Sequence, residues 1–321
     1  MMRSAVLVRP GHFEVIEQDR PVPGAGEVLV RVEGCGVCAS NLGPWQGVAG
    51  IAYPLDPGSP GHEVYGTVDA VGGGVTGVRA GDPVAALSYR GFAEYDIARA
   101  DAVVKLPPEL VGRPILGEPV ACAVNVWRRA GVRQGDTVVV LGIGFLGALV
   151  VRLVREDRPR RVFAVSRRAE ALEAARRMGA DEALTYDDDI RGRIAEATDG
   201  RMADVVIEAT GAQAPLDLAA ELTRVRGRLV IAGYHQDGPR TVNLQLWNWR
   251  GLDVVNAHER DPAVYTSGME EGVRRIAAGT LDIDPLISHT FPLAEIDRAF
   301  IAASGRPSGF FKAVVRPDCE P

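Results

Sequence analysis

The stretch that most constrains the chain is Val138-Val139-Val140-Leu141-Gly142-Ile143-Gly144-Phe145-Leu146-Gly147, four apolar residues running straight into a G-x-G-x-x-G turn. Beyond the turn, Leu146, Leu149, Val150, Leu153 and Val154 recur at i, i+3, i+4, i+7 and i+8, which is one face of a helix. A second apolar run, residues 161–165, follows. Strand, glycine turn, helix and strand make a βαβ unit, whose crossover forces the two strands to run parallel. Taken alone the glycines mark only a tight connection. In this context they let the backbone approach a pyrophosphate at the positive helix N-terminus. Gly142, Ile143, Gly144, Phe145, Leu146 and Gly147 are therefore candidate dinucleotide contacts.

The same alternation continues through apolar runs at residues 204–208 and 228–232, the pattern of a doubly wound parallel sheet covered on both faces. About 20 residues past the glycines, at the end of the second strand, an acid would grip the adenosine ribose of NAD. Here the chain reads Val165-Ser166-Arg167-Arg168. A hydroxyl and two guanidinium groups suit a 2′-phosphate, so NADP is favoured over NAD. The alternative is that Arg167 and Arg168 are only the solvated first turn of the next helix.

Upstream of about residue 120 the texture differs. Short β-type runs, residues 28–32, 64–71 and 83–87, are punctuated by Gly and Pro, as in Val71-Gly72-Gly73-Gly74-Val75. This predicts a mainly β, barrel-like domain. After about residue 265 come helix candidates near 269–278 and 294–303 and a closing strand at 310–315, too little for a third domain. The expected organisation of the 321 residues is a first domain formed by residues 1–120 and 266–321, with the dinucleotide-binding domain at 121–265.

Composition excludes several partners. With 42 acidic against 36 basic residues the net charge is -6, which repels nucleic acid and anionic membranes. No stretch approaches the roughly 20 apolar residues of a membrane span, and the opening Met1-Met2-Arg3-Ser4-Ala5-Val6 lacks a signal-peptide core. Four cysteines, Cys35, Cys38, Cys122 and Cys319, are too few and too scattered for a disulfide framework. A cytoplasmic protein is expected.

Cys38 closes Gly34-Cys35-Gly36-Val37-Cys38, and 24 residues later comes Gly61-His62-Glu63; Glu118 stands in Gly117-Glu118-Pro119. Thiolate, imidazole and carboxylate are ligands that zinc accepts, and a catalytic zinc keeps one position open. Each residue has an ordinary alternative: Cys38 as a packed hydrophobe, His62 as a hydrogen-bonded core histidine, Glu63 as a surface acid.

These segments resemble the medium-chain dehydrogenase/reductase superfamily, in its zinc-containing alcohol and polyol dehydrogenase branch. The likeness runs through residues 34–40, 61–66, 118–121, 130–147, 178–181, 208–211 and 310–316, nearly the whole chain. It implies a GroES-like barrel for the catalytic domain beside the Rossmann domain, with the active site in the cleft between them. It also implies that Cys38 and His62 bind zinc, with Glu118 where polyol-type members carry glutamate and other alcohol dehydrogenases carry cysteine. Glu63 lies beside the metal and is the less certain ligand, exchanging with Glu118 or water. Ser40 falls at the position of the hydroxyl that passes the substrate proton outward. Thr210, Gly211 and Gly233, and more weakly Lys312, fall at cofactor contacts.

The chain departs from that pattern at three places. Asn41 stands where aspartate is usual, and Gly43 where some alcohol dehydrogenases have a histidine relay. Residues 83–99 contain no cysteine, so the four-cysteine structural zinc lobe is missing and one catalytic zinc per chain is expected. Cys35 and Cys122 are assigned to packing.

The expectation is thus a zinc-dependent oxidoreductase moving hydride between NADP(H) and an alcohol or carbonyl, first among them a polyol, sugar alcohol or cyclitol. The alternatives are a zinc-free NADPH quinone or enoyl reductase of the same superfamily, and a non-catalytic NADPH-binding protein. The resemblance implies a homodimer or homotetramer, with an edge strand within 243–255 as the contact. A small molecule is the expected partner.

Overall fold

The computed structural model describes residues 1–317, so Cys319 lies outside the described residues. The chain divides into two compact units, Met1–Ala121 with Arg260–Pro321, and Cys122–Glu259.

The first unit opens with the antiparallel hairpin β1 (Met2–Arg9) and β2 (His12–Gln18). Then follow β3 (Glu27–Gly36), the short helix α1 (Leu42–Gln46), β4 (Glu63–Val71), β5 (Pro83–Leu87), β6 (Tyr95–Arg99) and β7 (Val103–Lys105). The apolar runs read from the sequence are the centres of β3, β4 and β5. The long β3 is bulged and pairs with both β4 and β6. Only a short connection, residues 88–94, separates β5 from β6, and the cysteine-free segment 83–99 spans both strands and this connection.

α2 (Gly117–Ala130) begins in the first unit and carries the chain into the second, where β8 (Thr137–Leu141), α3 (Phe145–Val154), β9 (Arg161–Val165), α4 (Ala169–Arg177) and β10 (Glu182–Leu184) follow. It continues with α5 (Ile190–Ala197), β11 (Ala203–Glu208), α6 (Gln213–Leu222), β12 (Thr223–Ile231), α7 (Leu244–Arg250) and β13 (Asp253–Asn256). All six strands are parallel, in the order β10-β9-β8-β11-β12-β13. Every residue of β8 is buried because helices cover both faces, which is why its sequence shows a continuous apolar run rather than alternation.

The chain then returns to the first unit through α8 (Pro262–Ala277), β14 (Ile287–Pro292), α9 (Ile296–Gly305) and β15 (Lys312–Arg316). β15 pairs antiparallel with β3 and parallel with β14. The first unit's core gathers Phe13, Phe92 and Phe300, with ring centroids 4.9 to 6.4 Å apart, around the inner faces of these strands. No helix among the described residues is long and apolar enough to cross a membrane.

Candidate functional site

Three strand ends converge in the first unit. β3 and β4 pair with Gly36 opposite Glu63. Cys38 therefore lies just past the end of β3 and His62 just before the start of β4, so a 24-residue separation in sequence closes in space. β15 places Val314 opposite Gly36, which brings Lys312, at its first position, to the same corner. Gly36 leaves room for the Glu63 carboxylate: a Cβ there would lie 1.9 Å from Oε2.

Ligand atoms of Cys38, His62 and Glu63 lie within 4.8 Å of one another, the one such triplet among the described residues. Glu118, from the first turn of α2, is buried beside them, and its charge acts on both His62 and Lys312. Glu63 is fully buried, and both its oxygens accept from Lys312 Nζ, at 2.7 and 2.8 Å. Lys312, expected on the cofactor side, thus commits its ammonium to Glu63 and to the Val37 carbonyl at 3.4 Å. Burial pulls Lys312 down, but the charges of Glu63, Cys38 and Glu118 outweigh it and hold the ammonium protonated.

Burial likewise lowers His62, yet its hydrogen bond to Cys38 and the charges of Cys38, Glu118 and Glu63 raise it to about 10. The corner is strongly cation-seeking, and soft thiolate, imidazole and carboxylate form a donor set suited to zinc. Cys35 is different. It is fully buried, and burial, reinforced by Glu63, pushes its thiol well up, so it stays a packed hydrophobe. Cys122 lies in the second unit, partly buried along α2.

Asn41 organises the turn around these groups. Its Oδ1 accepts from the Cys38 backbone N–H at 2.8 Å and its Nδ2 donates to the Pro60 carbonyl at 2.9 Å, which fixes the amide orientation. His62 Nδ1, 3.0 Å from the same carbonyl, is its donor, and Nε2 is left for a metal. Where an aspartate would put negative charge behind the imidazole, the amide nitrogen of Asn41 lies 3.3 Å from Nδ1. Ser40 sits half-buried in the same turn, and its hydroxyl makes no hydrogen bond to another described residue.

In the second unit the strand order reverses at β8, so the connections leaving β8 and β11 diverge and open a crevice at their carboxyl ends. Gly147 is required for packing, since a Cβ there would meet the Gly142 carbonyl at 2.0 Å. Gly144 faces open space, with nothing within 4 Å of its Cβ position, and precedes α3 without a side-chain cap. The first N–H groups of α3 thus point into an open cradle fit for a pyrophosphate. Ile143, Phe145 and Leu146 complete that turn, with Ile143 and Phe145 buried. Gly144→Ala is expected to fold with unchanged thermal stability and to weaken NADPH by about tenfold or more, because the new methyl occupies the cradle. Fluorescence titration checks this, and wild-type affinity would remove the cradle from the cofactor path.

At the end of β9, Ser166 is buried, and its hydroxyl accepts from the Arg168 N–H at 3.3 Å. Arg168 donates to the Ile143 carbonyl at 3.3 Å and pairs with Glu170 at 3.5 Å. Arg167 is exposed and forms no ion pair with another described residue. Thr210, Gly211 and Gly233 end the neighbouring strands: Thr210 and Gly211 donate through their backbone N–H groups to Glu208, and a Cβ on Gly233 would lie 2.2 Å from Gly211 N. Sequence reasoning missed Glu208, His235 and Arg240, which bind these turns together. The available signal was a charged residue ending an otherwise apolar strand.

Residues 24–108 match the alcohol dehydrogenase GroES-like domain and residues 134–272 match the zinc-binding dehydrogenase domain. The chain is 28% identical over 324 residues to a sorbitol dehydrogenase of Halalkalibacterium halodurans, covering 91% of this chain and 92% of that protein. It is 28% identical to an erythritol/L-threitol dehydrogenase of Mycolicibacterium smegmatis, covering 96% of each. A protein from Sinorhizobium meliloti 1021, described as a zinc-binding dehydrogenase and solved bound to NADP, superposes with a TM-score of 0.86 at 25% identity, covering 99% of both chains.

Proposed function

Because the chain belongs to the zinc-dependent medium-chain dehydrogenase/reductase superfamily, in its alcohol and polyol branch, we propose that it transfers hydride between NADP(H) and a polyol or sugar alcohol. The observation that carries this reading is the convergence of half-buried Cys38 and His62 with buried Glu63, and buried Glu118 beside them. Cys38, His62 and Glu118 hold one catalytic zinc. Glu63 is nearer in space, but Lys312 already neutralises both its oxygens, which leaves Glu118 as the stronger third ligand. Bound zinc supplies Lewis-acid polarisation of the substrate oxygen, and the dinucleotide supplies or accepts the hydride.

The chain's own residues do the rest. Asn41 and Pro60 orient His62, Lys312 holds Glu63 back as a reserve ligand, and Ser40 passes the substrate proton outward. Gly142, Gly144 and Gly147 with the first N–H groups of α3 bind the pyrophosphate, while Ser166, Arg167 and Arg168 bind the adenosine end with its 2′-phosphate. Thr210, Gly211 and Gly233 line the far side of the same crevice. Lys312, bound to Glu63, belongs to the metal corner rather than to the cofactor contacts.

The test is a screen of polyols, sugar alcohols and simple alcohols with NADP, and of their carbonyl counterparts with NADPH, followed by absorbance on protein of known zinc content. Turnover of polyols at about one zinc per chain supports the reading. Protein with less than about half a zinc per chain that still turns over overturns it.

For assembly we propose a second copy as the occupant of the β13 edge. Among the described residues β13 pairs only with β12, which leaves a row of backbone donors and acceptors open, and Leu244, Trp249 and Val254 are exposed beside it, Trp249 at 87%. Sedimentation is expected to give a dimer that Trp249→Glu weakens; a 34.3 kDa monomer would overturn it.

A further inference from the structure

A fully buried glutamate at the carboxyl end of β11, Glu208, ties together three loops around the crevice. Glu208 stands opposite Leu141 across the β8–β11 pair, at the strand switch, and its carboxylate lies against the Gly211 and Gly233 turns. Oε1 accepts from the N–H groups of Thr210 at 2.6 Å and Gly211 at 2.9 Å, and from the Thr210 hydroxyl. Oε2 is 3.1 Å from His235 Nε2.

The second ring nitrogen of that histidine is also engaged. Arg240 Nε lies 2.8 Å from His235 Nδ1, and since arginine only donates, Nδ1 is the acceptor and carries no hydrogen. Nε2 then carries the proton given to Glu208. Arg240 reaches on through Nη2 to the Gly211 carbonyl at 2.7 Å and pairs with Asp237. Gln213 and Thr241 close the same seam, Gln213 Nε2 donating to Thr241 O at 2.7 Å and Thr241 N to Gln213 Oε1 at 3.1 Å. Residues 234–240 contain no helix or strand, yet the side chains of His235 and Arg240 are each only 15% exposed. This irregular loop is held beside two glycine turns whose backbones approach so closely that a Cβ on Gly233 would lie 2.2 Å from Gly211 N.

We propose that His235 is a positioning residue for the dinucleotide: by bridging Glu208 to Arg240 it pre-sets the Gly211 and Gly233 turns in the geometry that receives the cofactor. The inference rests on the assignment of this crevice to NADP(H). Ordering the turns in advance removes an entropic cost from binding. Any departure of His235 leaves Glu208 Oε2 buried without that donor, a strained state that the turns relieve by moving.

NADPH fluorescence titration of wild type, His235→Phe, His235→Gln and Arg240→Ala tests this. Phenylalanine keeps the ring but neither donates nor accepts, and its Kd is expected to rise about tenfold. Glutamine offers one donor and one acceptor at the spacing of the two ring nitrogens and is expected within about twofold of wild type. Arg240→Ala, which removes the far end of the bridge without touching the buried carboxylate, is expected to rise about threefold to fivefold. Unchanged zinc content and far-UV circular dichroism separate these effects from misfolding. Wild-type affinity in His235→Phe, or equal losses in the phenylalanine and glutamine variants, overturns the role of the bridge while the crevice remains the dinucleotide site. If the wild type itself binds no NADPH, the crevice assignment falls and the proposal with it.

Discussion

His62→Ala is expected to lower turnover by at least about three orders of magnitude, since metal polarisation of the substrate oxygen contributes several kcal/mol and each ~1.4 kcal/mol is tenfold in rate. The imidazole is held by the Pro60 carbonyl on one side and by Cys38 on the other. Removing it leaves a thiolate and two carboxylates, one of them neutralised by Lys312, and zinc content should fall with activity. NADPH affinity should stay close to wild type, because the cradle at α3 belongs to the other unit. Cys38→Ala should behave alike. A variant that keeps substantial turnover with zinc lost would remove the metal from the mechanism.

The second large effect concerns the choice of cofactor, and the two arginines are expected to separate. Arg167→Ala should weaken NADP by about 10- to 100-fold, the worth of charge-assisted bonds to a phosphate, and leave NAD within about twofold. Arg168 is anchored on the Ile143 carbonyl of the glycine turn, so Arg168→Ala should weaken both cofactors by similar factors. Steady-state KM and equilibrium Kd for each cofactor with each variant check this. Equal losses of NADP and NAD in Arg167→Ala would set the 2′-phosphate reading aside.

The elements that the sequence located well are those whose burial is uniform along the strand. β8 runs over Thr137–Leu141 and β9 over Arg161–Val165, and each contains an unbroken buried apolar run, 138–141 and 162–165. α8 was harder. Its apolar period starts near Met269, but the helix begins at Pro262, where Asp261 caps the Ala263 N–H and proline occupies the first turn. The intervening Thr266, Ser267 and Gly268 are weak helix formers that hide the helix from a hydrophobic pattern. β12 likewise starts at Thr223, five residues before its apolar run, through a stretch rich in arginine.

For the candidate site the division is similar. The glycine turn and the metal-ligand residue types Cys38, His62 and Glu118 stand out in the sequence, as does the change of pattern near residue 120. Lys312 was named as a cofactor contact, and nothing near it in the chain points to Glu63, 249 residues away. Their pairing arises because β15 docks on β3 beside β4, and strand register is a property of the assembled sheet rather than of any local segment. The Glu208–His235–Arg240 bridge was invisible for the same reason.

What the sequence determined by itself is the residue types on offer: a glycine turn between strand and helix, thiol, imidazole and carboxylate groups of the kinds that bind zinc, and an arginine pair after the second strand. Only the tertiary structure decided which carboxylate is held by Lys312, which nitrogen of His62 faces away from the Pro60 carbonyl and which arginine is left free. Those choices depend on hydrogen bonds between residues far apart in the chain, and such bonds exist only once the strands have paired.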